Sequence, residues 1–236
     1  MQAKTANILR QERFWGSRAR SWDHGADNNP GLVKVVEKVI SSSKLETDFT
    51  VLDLGCGSGQ LAIRIAPFVK KVIAVDISQN MINLLQENAA AKGIENIETI
   101  VVPVEHLILD DASIDAVVSN YALHHLKDDD KALIVQKSFL WLRAGGQLTI
   151  GDMMFGRGMD ARDRQIIGSK LALMVKRGPG GWWRICKNAF RYLLRLHERP
   201  VSVAAWKSML QKAGFTGIEA SEVVNEAAVV FGFKEQ

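Results

Sequence analysis

Apolar and polar positions follow two rhythms along this chain, and the change between them marks its organisation. Over the first 48 residues the rhythm is helical. One segment covers 5–20, and a second covers 31–43, with Leu32, Val35, Val36, Val39 and Ile40 at helical spacing. The stretch SWDHGADNNPG between them is polar and rich in turn-formers, which predicts a loop. From Phe49 onward short apolar runs take over: FTVLDLG, KVIAVD, IETIVV, IDAVVS and QLTIGD. Helical stretches alternate with them at 58–69, after Ser78, and at 129–142 ahead of Gly145 and Gly146. Ser78 is suited to cap its helix, whose inner positions are Met81, Ile82, Leu84 and Leu85 and whose end falls before Gly93. Strands that are apolar throughout and separated by helices predict a parallel sheet covered on both faces.

Past Met153 this rhythm breaks into helical, basic and aromatic sequence, interrupted by GPGG at 178–181. A helix returns at 203–213, closed by Gly214, and two strand candidates follow, GIEASEVV and AAVVFGF. Only Asn225 and Glu226 separate them. They must pair antiparallel, because a parallel crossover takes a dozen residues or more. The chain thus reads as one α/β domain over 1–236. Its parts are a helical cap at 1–48, a core at 49–152, a lid insertion at 153–200, and a last helix with antiparallel closing strands at 201–236.

Composition changes this picture little, and charge changes it locally. The 236 residues are 47% hydrophobic and 24% charged, an ordinary globular mixture. No run approaches the ~20 apolar residues that span a bilayer. The opening MQAKTANILRQERFW lacks the apolar core of a secretory signal, and Cys56 and Cys186 form neither a metal pattern nor a disulfide framework. A cytoplasmic setting is the expectation, with no metal. The net charge of +4 hides an asymmetry: 155–200 holds eleven Lys or Arg against three acids. Within it Arg184, Asn188, Arg191, Arg195 and Glu198 lie on one helical face, and Trp183, Cys186, Phe190, Leu193 and Leu194 on another. This is the pattern of a lid helix with solvated arginines. It also suits contact with an anionic membrane surface or an anionic substrate.

The chemistry begins at Asp53-Leu54-Gly55-Cys56-Gly57-Ser58-Gly59, a buried strand running into a glycine-rich turn that opens a helix. Such a turn lets a ligand approach the main chain and offers free N–H groups to an anion. Gly57, Gly59 and Ala62 also satisfy the loose dinucleotide pattern, with Asp76 as the ribose acid. Asp53 argues against a pyrophosphate, which its carboxylate would repel. A zwitterionic amino acid suits the same place, with its ammonium on Asp53 and its carboxylate at the helix start. S-adenosyl-L-methionine joins that zwitterion to a ribose, whose hydroxyls Asp76 can take.

VLDLGCGSG, VIAVDIS, DAVVSNYALHHL and LRAGGQLTIGD, in this order and at these separations, resemble the class I S-adenosylmethionine-dependent methyltransferases. They are most similar to the small-molecule branch that includes the quinone-biosynthesis C-methyltransferases. The resemblance implies a Rossmann-like fold with a seven-stranded, mostly parallel sheet in the order 3-2-1-4-5-7-6. By position it implies Asp53, Gly55, Gly57 and Gly59 at the methionine moiety, Asp76 at the ribose, Ile77 beside the adenine and Asn120 at the methionine end. One departure stands out. Where the family has an acid facing the adenine amino group and then a small residue, this chain has Pro103 and Val104, leaving Glu105 or the backbone of Val104 for that contact.

Displacement at a sulfonium methyl needs alignment and exclusion of water above all, and a base only for acceptors that must lose a proton. Tyr121, His124 and His125 are the candidates for that chemistry. The expected partner is a small or lipid-like acceptor. A nucleic-acid methyltransferase is disfavoured, since 119–122 reads Ser-Asn-Tyr-Ala rather than Asn/Asp-Pro-Pro-aromatic and no Pro-Cys nucleophile is present. A nicotinamide oxidoreductase is disfavoured by Asp53. A non-catalytic binder of the same fold remains as an alternative.

Overall fold

The computed structural model describes residues 6–26, 28–156, 164, 165, 168, 199–224 and 226–235. Seven strands form one sheet: β1 (Thr50–Leu54), β2 (Lys71–Asp76), β3 (Ile97–Val101), β4 (Ile114–Asn120), β5 (Leu142–Met153), β6 (Thr216–Val224) and β7 (Ala227–Phe233). Their order is β3-β2-β1-β4-β5-β7-β6. β1 pairs parallel with β2 and β4, and β7 pairs antiparallel with both β5 and β6. This is the class I methyltransferase arrangement that the motifs imply. The last two strands pair antiparallel as their short connection requires.

The described helices are α1 (Ala6–Gly16), α2 (Ala19–Ala26), α3 (Pro30–Ser42), α4 (Ala62–Ile65), α5 (Gln79–Ala91), α6 (Asp128–Trp141) and α7 (Val203–Ala213). Two cores result, one on each sheet face. On one, Val35, Val36 and Val39 of α3 pack with Ile65 of α4 and Ile82 and Leu85 of α5 against Val51 and Val72. On the other, Ile134, Val135 and Trp141 of α6 and Trp206 and Leu210 of α7 cover Leu52, Leu54 and Ile150. None of the described helices is long and apolar enough to cross a membrane.

Three local expectations change. The polar stretch after Arg20 is not a loop: Ser21 to Ala26 belong to α2, where Asp23 accepts from Asn88 Nδ2 of α5 at 3.2 Å. Turn-forming composition is overridden there by packing. The helix expected over 58–69 shrinks to α4 and a 3₁₀ turn at Ala66–Phe68. Gly59, with φ +95°, cannot be helical, and Pro67 sits in the final turn. β5 begins at Leu142, five residues before QLTIGD. The capping assignments hold, with Ser78 Oγ accepting from Met81 N and Gly214 left-handed at the end of α7.

Asn96, just ahead of β3, donates from Nδ2 to the carbonyls of Ala66 at 2.8 Å and Val69 at 3.0 Å. It thereby holds the turn that leads into β2. Asn96→Ala is expected to cost about 1–2 kcal/mol of stability, read as a lower urea midpoint with unchanged m-value.

Candidate functional site

The glycine loop owes its shape to close approach. Gly55, at φ +74°, faces Ala122 so tightly that a Cβ would fall well inside van der Waals contact with the Ala122 methyl. The amides of Gly55 and Cys56 both donate to Val75 O, at 2.8 and 2.9 Å, which folds the loop over the end of β2. Gly57, at φ +53°, has open space where a Cβ would stand, and it lines a cavity at the carboxyl ends of β1, β2 and β4. Parallel sheets bind ligands at such a point, where strand order reverses. Gly59 is different. It does not line the cavity but packs against Ile63 and Leu85, so its work is to close the loop.

Asp53 lies at the floor of this cavity, 1% exposed, and neither carboxylate oxygen has a hydrogen-bond partner among the described residues. Burial and the negative charge of Asp76 push its acid strength down, raising its pKa to about 7; the nearby Ala62 N–H offsets part of the rise. Asp76 is buried as well, and its carboxyl is also raised, by burial first. It accepts from Gly57 N at 3.0 Å and Ser78 N at 2.9 Å. The Ile77 N–H also bonds to it, and an ionised carboxylate, with about four acceptor positions, keeps capacity for a hydroxyl group.

The cavity wall gathers most of the predicted residues. Asp53, Gly55, Gly57 and Asp76 share it with Ile77, Val104, Glu105 and Asn120. Pro103, Val104 and Glu105 stand together at one end, so the departure at Pro103 leaves that wall built. Lys137 of α6 ties it down, donating to the carbonyls of Glu105 at 2.7 Å and Leu107 at 3.0 Å. Asn120 Oδ1 is buried without a partner, as Asp53 is. The helix expected to present its N terminus is the single turn α4, whose Arg64 lines the cavity.

Tyr121 follows β4 with φ +50°, a left-handed conformation uncommon for a non-glycine residue, and its N–H donates to Gly151 O at 2.8 Å. That turn aims 121–125 over the sheet ends. Burial first, then Glu226 and Asp152, raise the Tyr121 hydroxyl pKa, which keeps the group protonated. The two histidines part company. His125 lines the same cavity as Asp53, with the ring of Trp15 at 5.0 Å and Gln11 donating to its carbonyl at 3.3 Å. His124 does not line it. It is 5% exposed and its Nδ1 lies 2.5 Å from Oδ1 of Asp152.

Four residues at the site were missed by sequence reasoning. Gln11 and Trp15 of α1 close over the cavity, Arg64 joins its wall, and Asp152 holds His124. For Asp152 a signal was present: it is an acid at the end of an apolar strand, as Asp53 and Asp76 are. The basic and aromatic pattern of 182–198, with Trp182, Trp183, Arg184, Arg191 and Arg195, lies outside the described residues.

Residues 51–146 match the family model described as a methyltransferase domain. Over 95 residues the chain is 33% identical to YcgJ, an uncharacterized methyltransferase of Bacillus subtilis, which takes in 40% of this chain and 38% of that protein. It is 40% identical over 101 residues to the uncharacterized methyltransferase Rv0089 of Mycobacterium tuberculosis, covering 43% of this chain and 46% of that one. The matched stretches span less than half of either relative. The crystal structure of Bacillus subtilis YcgJ superposes with a TM-score of 0.62 at 17% identity, over 86% of this chain and 98% of that one. A chain solved in complex with the Haloferax volcanii Trm112 methyltransferase activator superposes with a TM-score of 0.68 at 13% identity, over the whole of both. At those identities the superpositions speak to the fold. Fold and matched segment agree: the sheet has the class I methyltransferase order, and the segment that carries its cofactor-side strands matches a methyltransferase domain. Within the chain, residues 51–146 match a methyltransferase domain and resemble part of YcgJ.

Proposed function

We propose that the chain transfers the methyl group of S-adenosylmethionine to a small acceptor of hydrophobic or lipid-like character, the kind that a resemblance to quinone-biosynthesis C-methyltransferases suggests. The observation that carries this reading is Asp53. A carboxylate buried without a hydrogen-bond partner, on the floor of a glycine-loop cavity, is costly unless a cation completes it. The ammonium of the cofactor's methionine moiety is such a cation. Asp76 would hold the ribose hydroxyls, Ile77, Val104 and Glu105 the adenine, and Asn120 the methionine end, with Arg64 positioned for its carboxylate. When bound, the cofactor supplies an electrophilic methyl group on a sulfonium. The protein's share is alignment and exclusion of water, and Gln11 and Trp15 close the cavity from above.

The test is calorimetry with S-adenosylhomocysteine and, in parallel, NAD. Heat with the first and none with the second is expected; the reverse would overturn the reading. A pH series sharpens it. The bound ammonium needs Asp53 ionised, and its pKa is raised to about 7. Affinity should therefore weaken as pH falls through about 7, by up to ~10-fold per unit, and level off above it. An affinity flat between about pH 5.5 and 8 would remove Asp53 from the ammonium site.

A further inference from the structure

A second cavity adjoins the first and shares Trp15, Leu32, Tyr121 and His125 with it. It reaches His124, Met153 and Glu226, which the cofactor cavity does not. His124 stands on its wall with its ring orientation set by Asp152. That carboxylate has no exposure and accepts three hydrogen bonds. Oδ2 takes His124 N at 2.9 Å, and Oδ1 takes Met153 N at 2.7 Å and faces His124 Nδ1 at 2.5 Å. A carboxylate already accepting from two main-chain N–H groups keeps the proton of the third bond on Nδ1. With Nδ1 donating to that carboxylate, Nε2 is the ring nitrogen left to take a proton.

We infer that the second cavity is the acceptor pocket, that His124 is its general base, and that Asp152 is the positioning residue fixing the His124 tautomer. This rests on the cofactor reading above and narrows the acceptor. Neutral amines need no base, and alcohols are too weakly acidic for an imidazole. The acceptor is therefore a phenol or enol, met by an apolar wall of Trp15, Leu32 and Met153 and by the Tyr121 hydroxyl. Its O–H proton passes to Nε2 of His124. The freed electron pair, on that oxygen or on the carbon conjugated to it, would take the methyl group that bound S-adenosylmethionine would supply, the carbon–sulfur electrons staying on sulfur, and His124 would return the proton to water.

The probe is 4-nitrophenol, whose phenolate is yellow, added to full-length protein saturated with S-adenosylhomocysteine at about pH 6, where the free phenol is mostly protonated. The expected result is a several-fold gain in phenolate absorbance on binding. His124→Gln abolishes the gain while leaving S-adenosylhomocysteine affinity within about twofold, since His124 does not touch that cavity. Asp152→Asn reduces the gain and removes the downfield Nδ1 proton resonance of His124 in NMR, which a merely structural role in the 121–125 turn would not link to the absorbance. Phenolate absorbance unchanged in the wild type, or equal in His124→Gln, would overturn the inference. So would methylation of benzylamine with no methylation of 4-nitrophenol. Loss of S-adenosylhomocysteine binding by the wild type would instead overturn the cofactor reading.

Discussion

Asp53→Asn is expected to lower affinity for S-adenosylhomocysteine by about 100-fold or more and, at the same time, to stabilise the ligand-free protein above neutral pH. The two effects have one cause. In the folded chain the Asp53 carboxyl has a pKa of about 7 against an ordinary 3.8. Both states are protonated at low pH, so this group then contributes nothing to the pH dependence of stability. Between 3.8 and about 7 the unfolded chain ionises and the folded one does not, and the folded state loses ground. Above about 7 the loss is complete, of order a few kcal/mol. The amide carries no charge to desolvate, so the ligand-free melting temperature at pH ~8 should rise by several degrees, with little change near pH 4. Calorimetry and a melt on the same sample check both halves. A variant that loses stability and keeps its affinity would mean that Asp53 serves the loop rather than the ligand.

Gly55→Ala has the second large expected effect. Two penalties coincide: φ is +74°, and the added methyl meets the Ala122 methyl across the gap between loop and strand end. The left-handed conformation costs roughly 1 kcal/mol and the overlap about 1–3 more. The melting temperature should fall by roughly 5–12 °C. Affinity for S-adenosylhomocysteine should fall at least tenfold, because relief requires the loop to leave Val75 O and so carry Gly57 away from Asp76. Ala122→Gly in the same chain removes the overlap and leaves the backbone strain. The double variant should therefore recover more than half of the lost stability. No recovery would place the damage in the backbone conformation alone.

Much of the site was legible in the chain. Asp53 and Asp76 end apolar strands, and the glycines between them mark where the main chain turns. Strand ends in a parallel sheet converge on one edge, so these residues had to meet. The antiparallel closing strands were equally determined, by a connection too short for a crossover. Neighbouring residues did not reveal that His125 lines both cavities and His124 only the second. His124 and His125 differ in what lies beneath them, Asp152 for one and the cofactor wall with Trp15 for the other.

The sequence by itself determined the sheet, the glycine loop and the two strand-end acids, since these follow from periodicity and backbone freedom over a few residues. The tertiary structure alone decided that α1 closes over the cavity, where Gln11 bonds to a carbonyl 114 residues away. It alone seated Asp152 under His124, across 28 residues and the β4–β5 pairing. It also set Gly59 against Ile63 and Leu85 and reduced the expected helix at 58–69 to one turn and a 3₁₀ turn. Those features depend on which side chains fill space that distant segments leave, and no local pattern records that.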